Sequence, residues 1–300
     1  MAASIAETIV AKVDTMPAGE RRAAHALIAN YPMLGLKTVA EFSARAGVSS
    51  PTILRFVARI GFGNYAEFQS ALNDELAEQL QSPLSRTGAG RSRTDDDAGP
   101  LLAATVDNIS ETFRLLSERQ INDIVTLLAD PRCRIHLVGG RFTDPLARYM
   151  AAHLAIIRPG IAHLDGQENL WRDRLIDMGK RDTLVIFDIR RYQDSLLRFA
   201  EKANARGVSI VLVTDQWLSP IARFATQVIA ARTAVPSAWD SSAALFVVVE
   251  RLIAGVTDRL PDQSAARIRD MDALRSARRR RDRAQPAMSR SAAAHYETLR

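Results

Sequence analysis

Two groups of side chains in this 300-residue chain are of the types that hold charged ligands. The first is Lys37, Ser49, Ser50, Thr52, Arg55 and Arg59, gathered within one short segment. Small hydroxyls beside forked and point cations are the groups that phosphate oxygens and base edges of DNA require. The second group is spread over three loops: Gly139-Gly140-Arg141-Phe142-Thr143-Asp144, Asp188-Ile189-Arg190-Arg191-Tyr192 and Thr214-Asp215-Gln216-Trp217-Leu218-Ser219. A glycine pair lets a backbone approach a ligand closely, or merely permits a tight turn; Thr143 is placed to cap a following helix. Arg141, Arg190 and Arg191 can grip a phosphate or carboxylate through forked hydrogen bonds, or can pair internally with Asp144, Asp188 and Asp215. The candidate small-ligand set is therefore Gly139, Gly140, Arg141, Thr143, Asp188, Arg190, Arg191 and Tyr192. Catalytic chemistry has weaker support. His136 sits within a strand pattern and His153 within a helix pattern, while His163, Asp165 and Glu168 follow a strand without a recognisable acid–base motif, so no residue is assigned a catalytic role. No spacing suggests a metal site or a cofactor, and the single cysteine, Cys133, reads as a packed thiol.

The first group is positioned by two short helices hinged at one glycine. Val39, Phe42, Ser43 and Ala46 share one helical face, and Ile53, Phe56, Val57 and Ile60 share another, so two apolar stripes oppose each other. Gly47 stands at the corner, where positive φ is needed, and Val48 can plug it. Ser49 or Ser50 is expected to provide the N-cap oxygen, with Pro51 suited to the first turn. The pattern predicts a helix-turn-helix whose second helix reads DNA with its outer face. An amphipathic helix over 18–30 and another over 65–79, after the turn-rich Gly61-Phe62-Gly63-Asn64, complete an all-α unit over residues 1–80.

Charge agrees with this division. Net charge is +6, but residues 1–80 hold seven Lys or Arg against eight acids, whereas 37–59 holds four against Glu41 alone. The positive field is thus concentrated on the predicted reading surface. Ten arginines and five acids fall in an Arg-rich tail over 261–300, expected to be solvated or to add phosphate contacts. Residues 81–99 carry little apolar surface and read as a flexible linker. From 100 to 260 helices alternate with short apolar runs at Ile135–Val138, Ile161–Leu164, Thr183–Phe187, Ser209–Val213 and Val228–Ala230. Nearly continuous apolar strands between helices imply a parallel five-stranded sheet in a three-layer α/β domain. In such a sheet ligands sit beyond the strand carboxyl ends, where the three loops lie. The longest apolar run, 243–256, is interrupted by Glu250 and Arg251, and the N-terminus shows no secretory pattern, so a cytoplasmic protein without membrane contact is expected.

Pro17-Ala18-Gly19-Glu20-Arg21-Arg22, the segment Val39 to Phe62, and Leu212-Val213-Thr214-Asp215 followed by Ser219-Pro220-Ile221-Ala222 resemble the RpiR/MurR family of bacterial transcription regulators over roughly residues 5–260. The resemblance implies an N-terminal helix-turn-helix joined to a sugar isomerase (SIS) domain of flavodoxin-like strand order. It also implies a phosphorylated sugar or another anionic carbohydrate derivative as effector, and a homodimer or homotetramer on an imperfectly palindromic operator. One departure bears on the effector. SIS domains that hold sugar phosphates usually carry Ser-x-Ser-Gly-x-Thr after the third strand, where this chain has Phe187-Asp188-Ile189-Arg190-Arg191-Tyr192. The effector's chemical class therefore stays open, as do two other readings: the SIS domain as an oligomerisation scaffold only, or as a sugar-phosphate isomerase.

Overall fold

A computed structural model describes residues 4–81, 98–166 and 168–284. The expected linker falls largely outside the described residues, as does the tail beyond 284. The N-terminal part consists of α1 (Ile5–Lys12), α2 (Ala18–Ala29), α3 (Val39–Ala46), α4 (Ser50–Ile60) and α5 (Tyr65–Leu80). Thr38 starts α3 with a capping box: its hydroxyl accepts from Glu41 N at 3.2 Å while Glu41 accepts from Thr38 N at 3.0 Å. Gly47 ends α3 at φ +62°, and Val48 N donates to Ser43 O at 3.0 Å. That left-handed residue makes the corner from which α4 departs. The facing stripes meet as the spacing predicts: Phe42, Ile53, Phe56 and Val57 are buried, and the rings of Phe42 and Phe56 lie edge-to-face with centroids 6.1 Å apart. Leu27 of α2 and Phe68 and Leu72 of α5 close this core.

The second part opens with α6 (Gly99–Leu115) and α7 (Glu118–Ala129). It continues as β1 (Arg134–Gly139), α8 (Asp144–Ile157), β2 (Ile161–His163), α9 (Glu168–Arg174), β3 (Asp182–Asp188), α10 (Asp194–Ala205), β4 (Ser209–Asp215), β5 (Gln227–Ala231) and α11 (Ala243–Arg259). The five strands are all parallel in the order β2-β1-β3-β4-β5, the flavodoxin-like arrangement. Alternate residues point to opposite faces. Val185 and Phe187 of β3 pack under α7, α8 and α11, while Leu184 and Ile186 pack under α9 and α10. After Arg174, α9 gives way to a 3₁₀ turn at Leu175–Asp177. Past Pro261 the chain forms α12 (Pro261–Ala284), anchored on α8 by Arg267, which donates to Ala155 O at 2.7 Å and Ile156 O at 3.1 Å. No helix among the described residues is long and apolar enough to cross a membrane.

The helical unit rests on the sheet unit through α1 and α2. Ser4 Oγ donates to Gln216 O at 3.0 Å, and Leu218, in the β4–β5 connection, joins the helical core. Buried Glu7 receives both Nε and Nη2 of buried Arg232, at 3.0 and 3.1 Å.

Candidate functional site

Along the outer side of α4, Ser49 and Arg55 are exposed, Ser50 and Thr52 half-buried, and Lys37 is exposed before α3. Ser49 heads α4, but its hydroxyl makes no cap bond to the helix backbone; it lies 2.9 Å from Thr52 Oγ1. Ser50 Oγ is instead 3.3 Å from Ser43 Oγ, so the expected serine cap is not made by either residue. Arg55 Nη2 donates to Thr52 Oγ1 at 3.1 Å, tying three polar groups of one face together. Arg59 is turned back onto buried Glu20 of α2, so it is committed to bracing the unit. Leu54, 48% exposed beside Arg55, was not singled out by spacing; it is an apolar group of the kind that meets a thymine methyl.

At the carboxyl edge of the sheet the glycine pair serves the turn itself. A Cβ on Gly139 would lie 2.4 Å from Asp144 N, and one on Gly140 would lie 2.6 Å from Gln193 Oε1. Thr143 heads α8 without capping it. Its hydroxyl accepts from Gly140 N at 2.8 Å and donates to Phe187 O at 2.6 Å, because the turn folds it inward onto β3. Arg141 N donates to the Gln193 side chain at 3.0 Å. Asp144 engages His163 at 2.8 Å and Arg148 at 3.7 Å.

Two buried carboxylates lie behind the second and third loops. Asp188 accepts from Ser219 Oγ at 2.5 Å, and burial pushes its pKa up to about 7. Asp215 accepts from Tyr192 OH at 2.7 Å and Arg190 N at 2.6 Å, and burial raises it to about 6. Tyr192 is itself raised, by burial first and then by Asp215. None of the three guanidinium groups pairs with Asp188 or Asp215. Arg190 reaches Asp240 at 2.6 Å, stacks on Trp217 at 4.2 Å, and donates to Glu78 O of α5 at 3.0 Å. Arg191, at φ +57°, is exposed. Beside it opens a cavity of about 360 Å³ walled by Phe142, Ile189, Arg190, Arg191, Trp239 and Asp240, with Gln81 at the end of α5 on its rim. Phe142 and Trp239 are 61% and 60% exposed with ring centroids 5.8 Å apart.

The structure thus separates the sequence-expected ligand set. Arg190 and Arg191 line this cavity, Gly139, Gly140 and Arg141 line a neighbouring one with Trp171 and Gln193, and Thr143, Asp188 and Tyr192 act inside the scaffold. Phe142 lay in a loop already picked out, but Trp239, Asp240 and Gln81 lay in segments without a recognised motif. The histidines are similarly occupied: His136 Nε2 is 3.0 Å from Asp182, with its pKa lowered by burial, and His153 Nδ1 is 3.0 Å from Tyr149 O. Among the described residues no group of three or more His, Cys, Asp or Glu is placed to hold a metal ion.

Comparison with known proteins matches residues 3–79 to the helix-turn-helix domain of the rpiR family and residues 127–255 to the SIS domain. The bifunctional protein glk of Burkholderia thailandensis is 26% identical over 215 residues, covering 71% of this chain and 33% of that protein; the chain spans about a third of the length of such relatives. An uncharacterized HTH-type transcriptional regulator of Haemophilus influenzae is 22% identical over 220 residues, covering 72% of this chain and 75% of the other. Among solved structures, the sugar isomerase domain of an RpiR transcription factor from Sphaerobacter thermophilus has a TM-score of 0.55 at 24% identity, covering 59% of this chain and 99% of that one. Vibrio vulnificus NanR, complexed with ManNAc-6P, has a TM-score of 0.52 at 16% identity over 89% of this chain and 98% of that one. At these identities the structural likeness speaks for the fold. With an rpiR-type reader joined to a parallel SIS sheet, the chain belongs to the RpiR family of helix-turn-helix transcription regulators.

Proposed function

We propose that this DNA-binding regulator acts in the cytoplasm as an effector-responsive switch, without turnover, and that its effector is a small anionic metabolite. Residues 1–80 act as the reader and 100–260 as the sensor and oligomerisation unit, and a symmetric dimer or tetramer places paired α4 helices on an imperfect palindrome. Lys37, Ser49, Ser50, Thr52 and Arg55 form the DNA-facing set. Arg59 contributes through Glu20.

The observation that carries the switch is the position of Arg190. One guanidinium joins the cavity wall, through Asp240, to the last turn of α5, through Glu78 O. A cation on the carbonyls at a helix C-terminus is favourably placed, so the contact holds the reader in one arrangement. An anion bound at Arg191 changes the field around the neighbouring Arg190–Asp240 pair and, through it, that hold. A ligand alters DNA affinity only by binding the two arrangements unequally.

The test measures DNA affinity of the full chain and of Arg190→Met. A shift of roughly threefold or more, with secondary structure intact, supports the tether, since about 0.7 kcal/mol of lost coupling gives that factor. Unchanged affinity contradicts it.

A further inference from the structure

Resting on the reading of the cavity as the effector site, we propose that its ligand is a planar, largely apolar carboxylate rather than a sugar phosphate. Three observations lead there.

The first is the loss of the groups that would cradle phosphate. The amides of the glycine turn are consumed internally, Gly140 N by Thr143 and Phe187 O and Arg141 N by Gln193. The loop after β3 offers a buried carboxyl at Asp188, already bound to Ser219, where phosphate-holding loops present hydroxyls. A phosphate there would meet a carboxyl already engaged with Ser219 instead of free hydroxyl donors.

The second is the wall of the cavity. Phe142 and Trp239 stand largely exposed beside Ile189, the Arg141 guanidinium 5.3 Å from the centre of the Phe142 ring, and exposed aromatic surface of this kind is a platform for a flat apolar body. Gln81 and Ser242 add polar groups at the cavity edge, but the exposed surface of the wall is mostly apolar and suits a flat ring better than the many hydroxyls of a sugar. A hydroxyl left without a partner on binding counts against the ligand that carries it.

The third is the available charge. Arg190 is held by Asp240, Trp217 and Glu78 O, which leaves the exposed Arg191 as the guanidinium on this wall that can receive a new anion. Its fork matches the two oxygens of one carboxylate, and Asp240 nearby penalises a second negative charge on the ligand.

Calorimetric titration of the full chain with benzoate, phenylacetate and indole-3-acetate, alongside glucose 6-phosphate and N-acetylmannosamine 6-phosphate, tests this. Wild type, Trp239→Ala and Arg191→Gln are compared; both side chains are exposed, and circular dichroism checks the fold of each variant. The expected result is saturable binding of an aromatic carboxylate that each substitution weakens roughly tenfold or more, with no saturation by either sugar phosphate. Sugar-phosphate binding that both substitutions weaken overturns the carboxylate class and leaves the cavity as effector site. Carboxylate binding indifferent to both substitutions overturns the placement of the ligand here. Binding by neither class overturns both.

Discussion

Removal of Arg232 should cost more than any other single change at the seam between the helical unit and the sheet. Its side chain delivers two hydrogen bonds to Glu7, and both residues are about 95% buried, with relative exposures of 5% and 4%. Glu7 also accepts from Ser4 N at 2.7 Å, and Glu111 lies 3.9 Å from Arg232. Deleting one partner of such a pair leaves a desolvated charge uncompensated, typically at about 3–5 kcal/mol. Because Glu7 keeps the Ser4 amide, the lower end applies, so Arg232→Met should destabilise by about 3 kcal/mol at neutral pH. Urea unfolding of the full chain, read at the first transition, gives the number. Glu7→Gln combined with Arg232→Met removes both charges and should cost less than Arg232→Met alone, a non-additivity expected of directly paired groups. A loss under about 0.5 kcal/mol for Arg232→Met, or strictly additive effects, would refute the claim that this buried pair fastens α1 to the sheet.

Asp188 gives a pH signature. Its carboxyl is raised from an ordinary value near 3.8 to about 7, so between those pH values the native state holds more protons than the unfolded chain. Stability from this group is full below about pH 4 and declines as pH rises through 7, by at most about 4 kcal/mol; Asp188→Asn should flatten that decline, as seen in chemical denaturation from pH 5 to 8. An equal slope in the variant would place the titration elsewhere. Gly47→Ala should cost about 1 kcal/mol from backbone alone, because a Cβ there meets no atom within 4 Å while φ is +62°; thermal unfolding reads it, and a neutral result would contradict the left-handed corner. Arg59→Ala should lower stability by about 1 kcal/mol through Glu20 and change DNA affinity less than Arg55→Ala, which paired melting and binding curves would show.

The helix-turn-helix was legible because its signals are local. Helical spacing of Phe42, Ala46, Ile53, Phe56 and Val57 and one glycine at the corner determine two helices and the face each buries. The parallel sheet was legible from continuous apolar runs such as Leu184 to Phe187, since strands covered on both sides need no polar alternation. Strand order came from family resemblance and agrees with the structure. The serine cap of α4 and the Thr143 cap of α8 failed for one reason: a hydroxyl has several partners in reach, and tertiary neighbours, Ser43 and Thr52 in one case and Phe187 O in the other, decide among them. The cavity was only half visible. Arg190 and Arg191 stand out by charge, but the contacts of Phe142 with Trp239 and of Arg190 with Glu78 join loops and helices far apart in sequence, and no spacing rule reaches across them.

The central claim, that α4 reads a specific operator, is tested most directly by the affinity of the full chain for the DNA upstream of its own gene against a shuffled duplex, over a salt series, with Arg55→Ala alongside. The expected result is preference for the native duplex, with Arg55→Ala costing about 1–3 kcal/mol and relaxing that preference if the guanidinium meets a guanine edge. Equal, salt-sensitive binding of both duplexes, undisturbed by the substitution, would contradict it.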